Sequence, residues 1–162
     1  MARKKKILAT PEPIRPGDED LGEIRNIVGF HIRLAQGAVY RHFTEAFTSL
    51  DLTQKQVSML WLVGDHPQIA QSDLARRMRM DRATTMAVVN RLEARNLLER
   101  QPSPNDGRKH ALYLTDDGNQ VLSSAKALIN QHEEWLKSRF SDAEVSTLIE
   151  LLSRIHGWFP TD

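Results

Sequence analysis

The sequence predicts a mainly α-helical protein that carries one small β-hairpin. Apolar residues recur at steps of three and four over most of the chain, which is the period of helices that bury one face. Two capping boxes, Thr53 to Gln56 and Ser141 to Glu144, mark helix starts. The pattern changes only around residues 97–114, where two short stretches typical of β-strands flank a turn that contains proline and glycine. The sequence therefore indicates helices on both sides of a hairpin.

Four helices are predicted before the hairpin. The first starts at Leu21 and is about 30 residues long. Its apolar face comprises Val28, Ile32, Ala35, Val39, Phe43, Ala46 and Leu50. The second starts at Thr53 and ends near Gly64, and the third covers residues 71–79. Asp81 caps the fourth, because its carboxylate can accept the first backbone N–H bonds. The buried face of the fourth helix comprises Thr85, Val88, Val89 and Leu92.

The hairpin and two further helices complete the chain. Two short strands, Leu97–Gln101 and His110–Leu114, are predicted around the turn. Thr115 starts a fifth helix and Ser141 a sixth, which Pro160 ends. The inward face of the sixth helix comprises Val145, Leu148, Leu151, Leu152, Ile155 and Trp158. Because the hairpin directly follows a helix–turn–helix, the predicted architecture is a winged helix–turn–helix.

Composition excludes several classes of protein. The chain of 162 residues fits one domain and has no cysteine, which excludes disulfides, thiolate metal sites and thiol redox chemistry. Its longest apolar run, residues 59–63, is too short to cross a bilayer, so we expect no membrane partner and a cytoplasmic location. Residues 1–20 are expected to be a flexible arm, basic and then proline-rich, ahead of one domain over residues 21–162.

Charge is unevenly distributed along the chain. Residues 71–110 contain nine Lys and Arg against five Asp and Glu, a net charge of +4. Residues 116–162 contain four cations against eight anions, a net charge of −4. A basic middle beside an acidic end indicates a surface for a polyanion. A solvated, charged helix face is the alternative, and the charge count alone does not decide between the two.

The tip of the hairpin concentrates cations. Asp106 and Gly107 suffice for a tight turn, yet Arg108 and Lys109 follow them directly. Beside a helix in the major groove, such a tip lies over the DNA backbone and the neighbouring minor groove, where the potential is strongly negative. Asp106 can pair with Arg108 and orient it before binding. The sequence predicts a DNA contact here; an exposed turn with incidental cations is the alternative.

These motifs resemble the MarR family of bacterial transcription regulators. The resemblance rests on residues 81–85, 91–93, 97–100, 104–108 and 112–118, and it extends over about residues 21–159. Within them, Asp106-Gly107-Arg108 matches the Asp-x-Arg of the family's wing tip, and Leu114-Thr115 with Gly118 matches the helix start after the wing. Asn96 and Arg79 stand where family members often have glycine.

The resemblance implies a six-helix, dimeric MarR-like architecture. Residues 21–50 and 116–162 would interlock in a homodimer, and residues 53–115 would form the winged lobe that binds a pseudo-palindromic double-stranded operator. It also implies that a small molecule relieves repression. The aromatic and aliphatic residues of the last helix suit the seam, although an intramolecular core would explain them too. The predicted interface residues are Leu148, Leu151, Leu152, Ile155, Trp158 and Phe159.

The fourth helix supplies the predicted base contacts. Arg82, Thr84 and Met86 lie near its start on the side away from the core, where residues of a recognition helix reach base edges. Asn90 either contacts adenine or is simply solvated. The predicted phosphate contacts are Gln71, Ser72, Arg91 and Arg100.

The predicted effector site is on the first two helices. Gly29 and Gly37 interrupt the first helix, which indicates close packing or a cleft. Cations and aromatic rings lie around Gly37, and such a set suits an aromatic carboxylate or its coenzyme A (CoA) thioester, which family members often sense. Solvated or ion-paired arginines are the alternative. The candidate ligand-binding residues are His31, Arg33, Tyr40, Arg41 and Trp61.

Two functions therefore remain open. One is a ligand-responsive regulator, expected to be a repressor that an aromatic acid or its CoA thioester releases from DNA. The other is a constitutive architectural DNA-binding protein without an effector. The sequence shows no nucleophile–base pair, phosphate loop or paired-carboxylate motif, so we expect neither an enzyme nor a cofactor. His31 and His42 lack a third ligand at metal spacing, so we expect no metal site.

Overall fold

The structure, a computed structural model, describes residues 21–103 and 106–157, and for residues 106–109 it describes the backbone alone. In these residues the chain forms six α-helices and three β-strands, which confirms the mainly helical fold with a small sheet. The helices are α1 (Val28–Ala46), α2 (Gln54–Asp65), α3 (Gln71–Arg77), α4 (Arg82–Ala94), α5 (Asp116–Lys137) and α6 (Asp142–His156). The strands are β1 (Ile69–Ala70), β2 (Leu98–Ser103) and β3 (Asp106–Leu114).

The chain divides into two compact units, Met1–Gly37 and Ala38–Asp162. The described part of the first unit holds a 3₁₀ helix, Gly22–Asn26, and the first half of α1. The second unit holds the rest of α1, the other five helices and the sheet. Its core lies among α2, α4, the sheet and α5, with Met59, Leu60, Leu92 and Leu112 fully enclosed.

The prediction of one first helix of about 30 residues is wrong. Helix α1 has 19 residues, because the backbone at Ile27 is extended (φ −90°, ψ 112°) and separates it from the 3₁₀ helix. Two adjacent β-branched residues, Ile27 and Val28, favour such a break, since their side chains lose rotamer freedom in a helix. The predicted apolar face is also only partly buried. Phe43 is enclosed, whereas Val28 is 70% exposed and Ile32 is 40% exposed in the single chain.

The predicted helix starts are confirmed where a capping residue marks them. The side chains of Thr53, Asp81, Thr115 and Ser141 each accept a hydrogen bond from the backbone N–H three residues later. Both predicted capping boxes are closed in both directions. Each cap satisfies an otherwise unpaired N–H group and is typically worth about 1 kcal/mol of stability.

The sheet contains one strand more than the sequence predicts. Strands β2 and β3 form the expected antiparallel hairpin, but Ile69 and Ala70 add a third strand, so that the order is β1-β3-β2. Two residues are too few to show an alternating pattern, which explains why this strand was missed. Strand β1 leads directly into α3 and thereby attaches the first helix of the helix–turn–helix to the wing.

Helix α6 differs from the prediction at its end and in its burial. It ends at His156 because Gly157 adopts a left-handed conformation (φ 67°, ψ 25°), so Pro160 is not needed to stop it. The expectation that its apolar face points inward is only partly met in the single chain: Val145 and Leu148 are half-buried, whereas Leu151, Leu152 and Ile155 are exposed. Trp158 and Phe159, also predicted to lie on this face, are outside the described residues, as is the arm over residues 1–20.

Candidate DNA-binding surface and effector groove

Helix α4 presents a mainly polar outer side with one large apolar side chain, Met86. Its inner side buries Thr85, Val88, Val89 and Leu92 as predicted. On the outer side Arg82 is exposed, and Met86 is 50% exposed, as a contact to a thymine methyl group would require. The hydroxyl of Thr84 instead donates to the Asp81 carboxylate at 2.6 Å. Hydrogen bonds from Thr84 lower the pKa of Asp81, so the cap stays ionised at neutral pH.

Of the predicted phosphate contacts, two are part of a network within the protein. The guanidinium of Arg100 on β2 donates to Glu93 and, at 2.6 Å, to Oδ1 of Asn90. It also approaches Oε1 of Gln71 at 3.4 Å. Among the side chains that the structure describes, none pairs with Arg91, which is exposed on α4. Ser72 is also exposed, so these two stay available to a ligand.

The wing is an antiparallel hairpin with an irregular tip. Pairing runs from Leu98 with Leu114 to Pro102 with His110, then shifts so that Ser103 faces Asp106. The predicted DNA contacts Arg108 and Lys109 and the orienting Asp106 belong to β3, and their side chains lie outside the described residues. Their role therefore stays a prediction.

A groove of about 440 Å³ lies beside α4 and is lined by three helices. Tyr40 of α1 contributes an exposed aromatic ring, and the first turn of α2 contributes Lys55. Helix α4 contributes Thr84 and Arg91, which are among the predicted DNA contacts. The described residues that line the groove include two cations and no acidic side chain. The arrangement can accept a flat anion, since the charges can bind a carboxylate and the ring can stack.

The other predicted ligand residues have different surroundings. In the first unit, the guanidinium of Arg33 lies 5.2 Å from the ring of Phe30, and Nε2 of His31 is 2.6 Å from the carbonyl oxygen of Arg25. In the second unit, Lys126 lies 4.7 Å above the ring of Trp61. Arg41 is exposed beside Tyr40 but does not line the groove. Lys55 is not among the predicted ligand residues, because only the fold places the start of α2 in the groove that Tyr40 lines.

A histidine pair that was not predicted joins α1 to α5. The Nδ1 atoms of His42 and His132 are 2.7 Å apart, a distance that requires one nitrogen to donate a proton and the other to accept it. The ring of Trp135 stacks on His42 at 3.9 Å, and Arg139 lies 3.9 Å above Trp135. The two histidines are 90 positions apart in the chain, and no local pattern indicates their contact.

This pair should make stability fall in acid. Burial lowers the pKa of both rings below the ordinary 6.5; nearby Arg139 lowers that of His42 further, and Glu45 and Glu133 only partly oppose the shifts. Because the unfolded chain then binds protons first, the free energy of unfolding should decrease as pH falls below about 6.5. Urea denaturation between about pH 7.5 and pH 5.5 measures this slope. The double variant His42→Gln, His132→Gln should flatten it, and an unchanged slope would refute the assignment.

Two kinds of site were not found in the described part of the chain. No described helix is long and apolar enough to cross a membrane. No group of three or more potential metal ligands lies together in residues 21–103 and 106–157.

Comparison with known proteins places the chain in a family. A profile described as MarR family matches residues 50–109. A putative transcriptional regulatory protein for the hcr operon of Thauera aromatica is 34% identical over 148 residues, or 88% of this chain and 89% of that protein. The transcriptional repressor CouR bound to a 23-mer DNA duplex superposes with a TM-score of 0.80 and 31% identity over 86% of this chain and 99% of CouR. CouR bound to p-coumaroyl-CoA superposes with a TM-score of 0.78 and 30% identity, again over 86% of this chain and 99% of CouR. The chain therefore belongs to the MarR family of winged helix–turn–helix transcriptional regulators.

Proposed function

We propose that this chain is a repressor that binds a pseudo-palindromic operator as a homodimer and is released by an aromatic acid or its CoA thioester. One observation carries the proposal: Thr84 and Arg91 of α4 line the groove beside Tyr40. A ligand in the groove would therefore contact the same helix that is expected to enter the major groove. DNA and ligand would then either compete for α4 directly or bind to different conformations of the protein.

The DNA-binding part of the proposal uses the exposed side of α4 and the wing. Arg82, Thr84 and Met86 are the proposed base contacts, and Ser72 and Arg91 the proposed phosphate contacts. Arg108 and Lys109 of the wing would add contacts in or beside the minor groove. The net charge of +4 over residues 71–110 supports this surface, as does the likeness to CouR bound to DNA.

The homodimer is supported by the exposed apolar face of α6. Ile149, Leu151, Leu152 and Ile155 are 41–64% exposed in the single chain. Contiguous apolar side chains of this kind mark an interaction surface, since water-soluble monomers rarely leave them uncovered. A second copy of the chain is the proposed partner, because a pseudo-palindromic operator requires two identical winged lobes.

The ligand class follows from the groove. Lys55 and Arg91 can each donate charge-assisted hydrogen bonds to a carboxylate or phosphate, and the ring of Tyr40 can stack on an aromatic acyl group. The likeness to CouR bound to p-coumaroyl-CoA supports an aromatic thioester. Tyr40 is therefore retained from the predicted ligand residues, and Lys55 and Arg91 are added.

A displacement assay tests the groove. A duplex selected by the protein from a pool with a randomised centre would be labelled, and its release followed by anisotropy while p-coumaroyl-CoA or p-coumarate is added. Tyr40→Ala and Lys55→Gln should each raise the concentration for half-release about tenfold, a loss of about 1.4 kcal/mol. Neither residue is a proposed DNA contact, so DNA affinity without ligand should be unchanged.

Arg41→Gln is the matched control, because Arg41 is exposed next to Tyr40 but is not one of the residues that line the groove. Its half-release concentration should equal that of the parent protein. If Arg41→Gln impairs release while Lys55→Gln does not, the effector binds elsewhere. If the parent protein binds its duplex and no aromatic acid or thioester releases it, the chain is a constitutive DNA-binding protein.

A further inference from the structure

Arg100 joins the three parts of the winged lobe through one guanidinium. It lies on β2, and its side chain is only 21% exposed. One terminal nitrogen, Nη1, forms an ion pair with Glu93 of α4. The other, Nη2, donates to Oδ1 of Asn90, also on α4, at 2.6 Å and approaches Oε1 of Gln71 at the start of α3 at 3.4 Å. The wing strand thus holds two amide side chains that both belong to the candidate DNA surface.

This contact fixes which way the two amides face. A guanidinium has five N–H donors and no acceptor, so only the oxygen of a neighbouring amide can bind it. If the amide of Asn90 turned over, its NH₂ group would point at the donors of Arg100. The NH₂ group of Asn90 therefore faces away from the protein network, and the same holds for Gln71. Glu93 compensates the charge of Arg100, so the arginine itself adds little positive charge to the surface.

We propose that Arg100 is a positioning residue that makes Asn90 a hydrogen-bond donor toward DNA. This inference rests on the proposed DNA-binding function. Recognition of adenine requires one amide to donate to N7 and accept from N6–H₂ at the same time. With its oxygen bound to Arg100, Asn90 binds an acceptor instead: the N7 and O6 edge of guanine, or a phosphate oxygen. Because the guanidinium of Arg100 already occupies one lone pair of the Asn90 oxygen, a base-contacting Asn90 favours guanine over adenine.

The identity of the acceptor can be determined with selected duplexes. Parent protein and Asn90→Ala would each select from the same randomised pool, and the base preference lost in the variant marks the position opposite Asn90. We expect that preference to be guanine, and replacement by 7-deazaguanine should then weaken the parent about tenfold. If no base preference is lost, methylphosphonate substitution along the backbone should reveal a phosphate contact that Asn90→Ala no longer makes. A lost preference for adenine would overturn the proposal.

A double-mutant cycle tests the role of Arg100. Arg100→Met removes the donors but keeps a long side chain. We expect DNA affinity to fall about tenfold in Arg100→Met and in Asn90→Ala, and the double variant to bind about as weakly as Arg100→Met alone. Arg100→Met combined with Arg82→Ala should be additive, because Arg82 lies at the other end of α4. In Arg100→Met the amide is free to turn, so discrimination between guanine and adenine at the marked position should also be lost.

Asn90→Asp covers the case in which Arg100→Met does not fold. Its carboxylate still accepts from Arg100, so thermal stability should be retained, but it has no donor, and DNA affinity should fall at least as far as in Asn90→Ala. Additive effects of Arg100→Met and Asn90→Ala, or full DNA affinity in Asn90→Asp, would overturn the inference about Arg100. A parent protein that selects no sequence from the pool would instead refute the proposed function.

Discussion

Gly118→Ala should destabilise the protein by about 3 kcal/mol or more, because alanine at this position collides with the backbone. A Cβ built on Gly118 would lie 2.0 Å from the carbonyl oxygen of Leu97 and 3.0 Å from its carbon. No side-chain rotation can relieve these contacts. Thr115 also binds this region, since its hydroxyl donates to the carbonyl oxygen of Asn96 at 2.6 Å. The first turn of α5 is therefore fixed against the chain that enters β2.

Urea denaturation followed by circular dichroism measures the effect. Gln120→Ala is the matched control, because this residue is exposed two positions further along the same helix and should change stability by less than about 0.5 kcal/mol. Gly118→Ala should lower the denaturation midpoint strongly and reduce DNA binding with it. A loss below about 1 kcal/mol would show that the start of α5 can move away from Leu97 at little cost.

The double variant Leu152→Asp, Ile155→Asp should separate the dimer into folded monomers. Leu152 is 41% exposed and Ile155 is 64% exposed in the single chain, so aspartate is tolerated there by the monomer but not in an apolar interface between copies. A monomer can bind only one half-site at a time. Its affinity for a duplex with two half-sites should therefore drop by about 10²–10⁴-fold, because linking two DNA-binding lobes in one dimer raises the overall affinity by about that factor.

Sedimentation velocity measures the assembly, and anisotropy measures the DNA affinity. Glu150→Gln is the control on the same helix, because Glu150 is exposed and its ion-pair partner among the described side chains is Arg154. That variant should remain dimeric with unchanged DNA affinity. A dimeric aspartate variant would place the interface away from α6, whereas a monomer with full affinity would show that one winged lobe suffices.

The sequence predicted the elements whose signals are local. The caps at Thr53, Asp81, Thr115 and Ser141 depend on residues three positions apart, and all four appear in the structure. The buried face of α4 follows from its helical period. The break at Ile27 and the strand Ile69–Ala70 were missed, because in each case a few residues carry too little pattern to outweigh their neighbours.

The two positions where the family often has glycine show what local patterns omit. Asn96 and Arg79 both have left-handed backbones, with φ of 56° and 50°. Asparagine tolerates this conformation well. Arginine does not, and its guanidinium binds the carbonyl oxygens of His156 and Gly157 at the end of α6. These contacts, 77 and 78 positions away in the chain, compensate the strained backbone and cannot be predicted from spacing.

The candidate site was predicted in part for the same reason. Helical position alone places Arg82, Thr84 and Met86 on the outer side of α4. The binding of Asn90 by Arg100, the contact between His42 and His132, and the position of Lys55 in the groove that Tyr40 lines all depend on how separate elements pack. Such contacts are set by the packing of helices and the register of strands. Only the structure therefore identifies these contacts.

The central claim is that one chain couples operator binding to an aromatic ligand, and a pair of reciprocal titrations tests it most directly. The dissociation constant for the selected duplex would be measured with and without saturating p-coumaroyl-CoA, and that for p-coumaroyl-CoA with and without saturating duplex. Thermodynamic linkage requires both constants to rise by the same factor, which a coupling free energy of about 1–3 kcal/mol sets at about 5–150-fold. We expect this equal rise. Ligand binding that leaves the duplex affinity unchanged, or no ligand binding at all, would contradict the account.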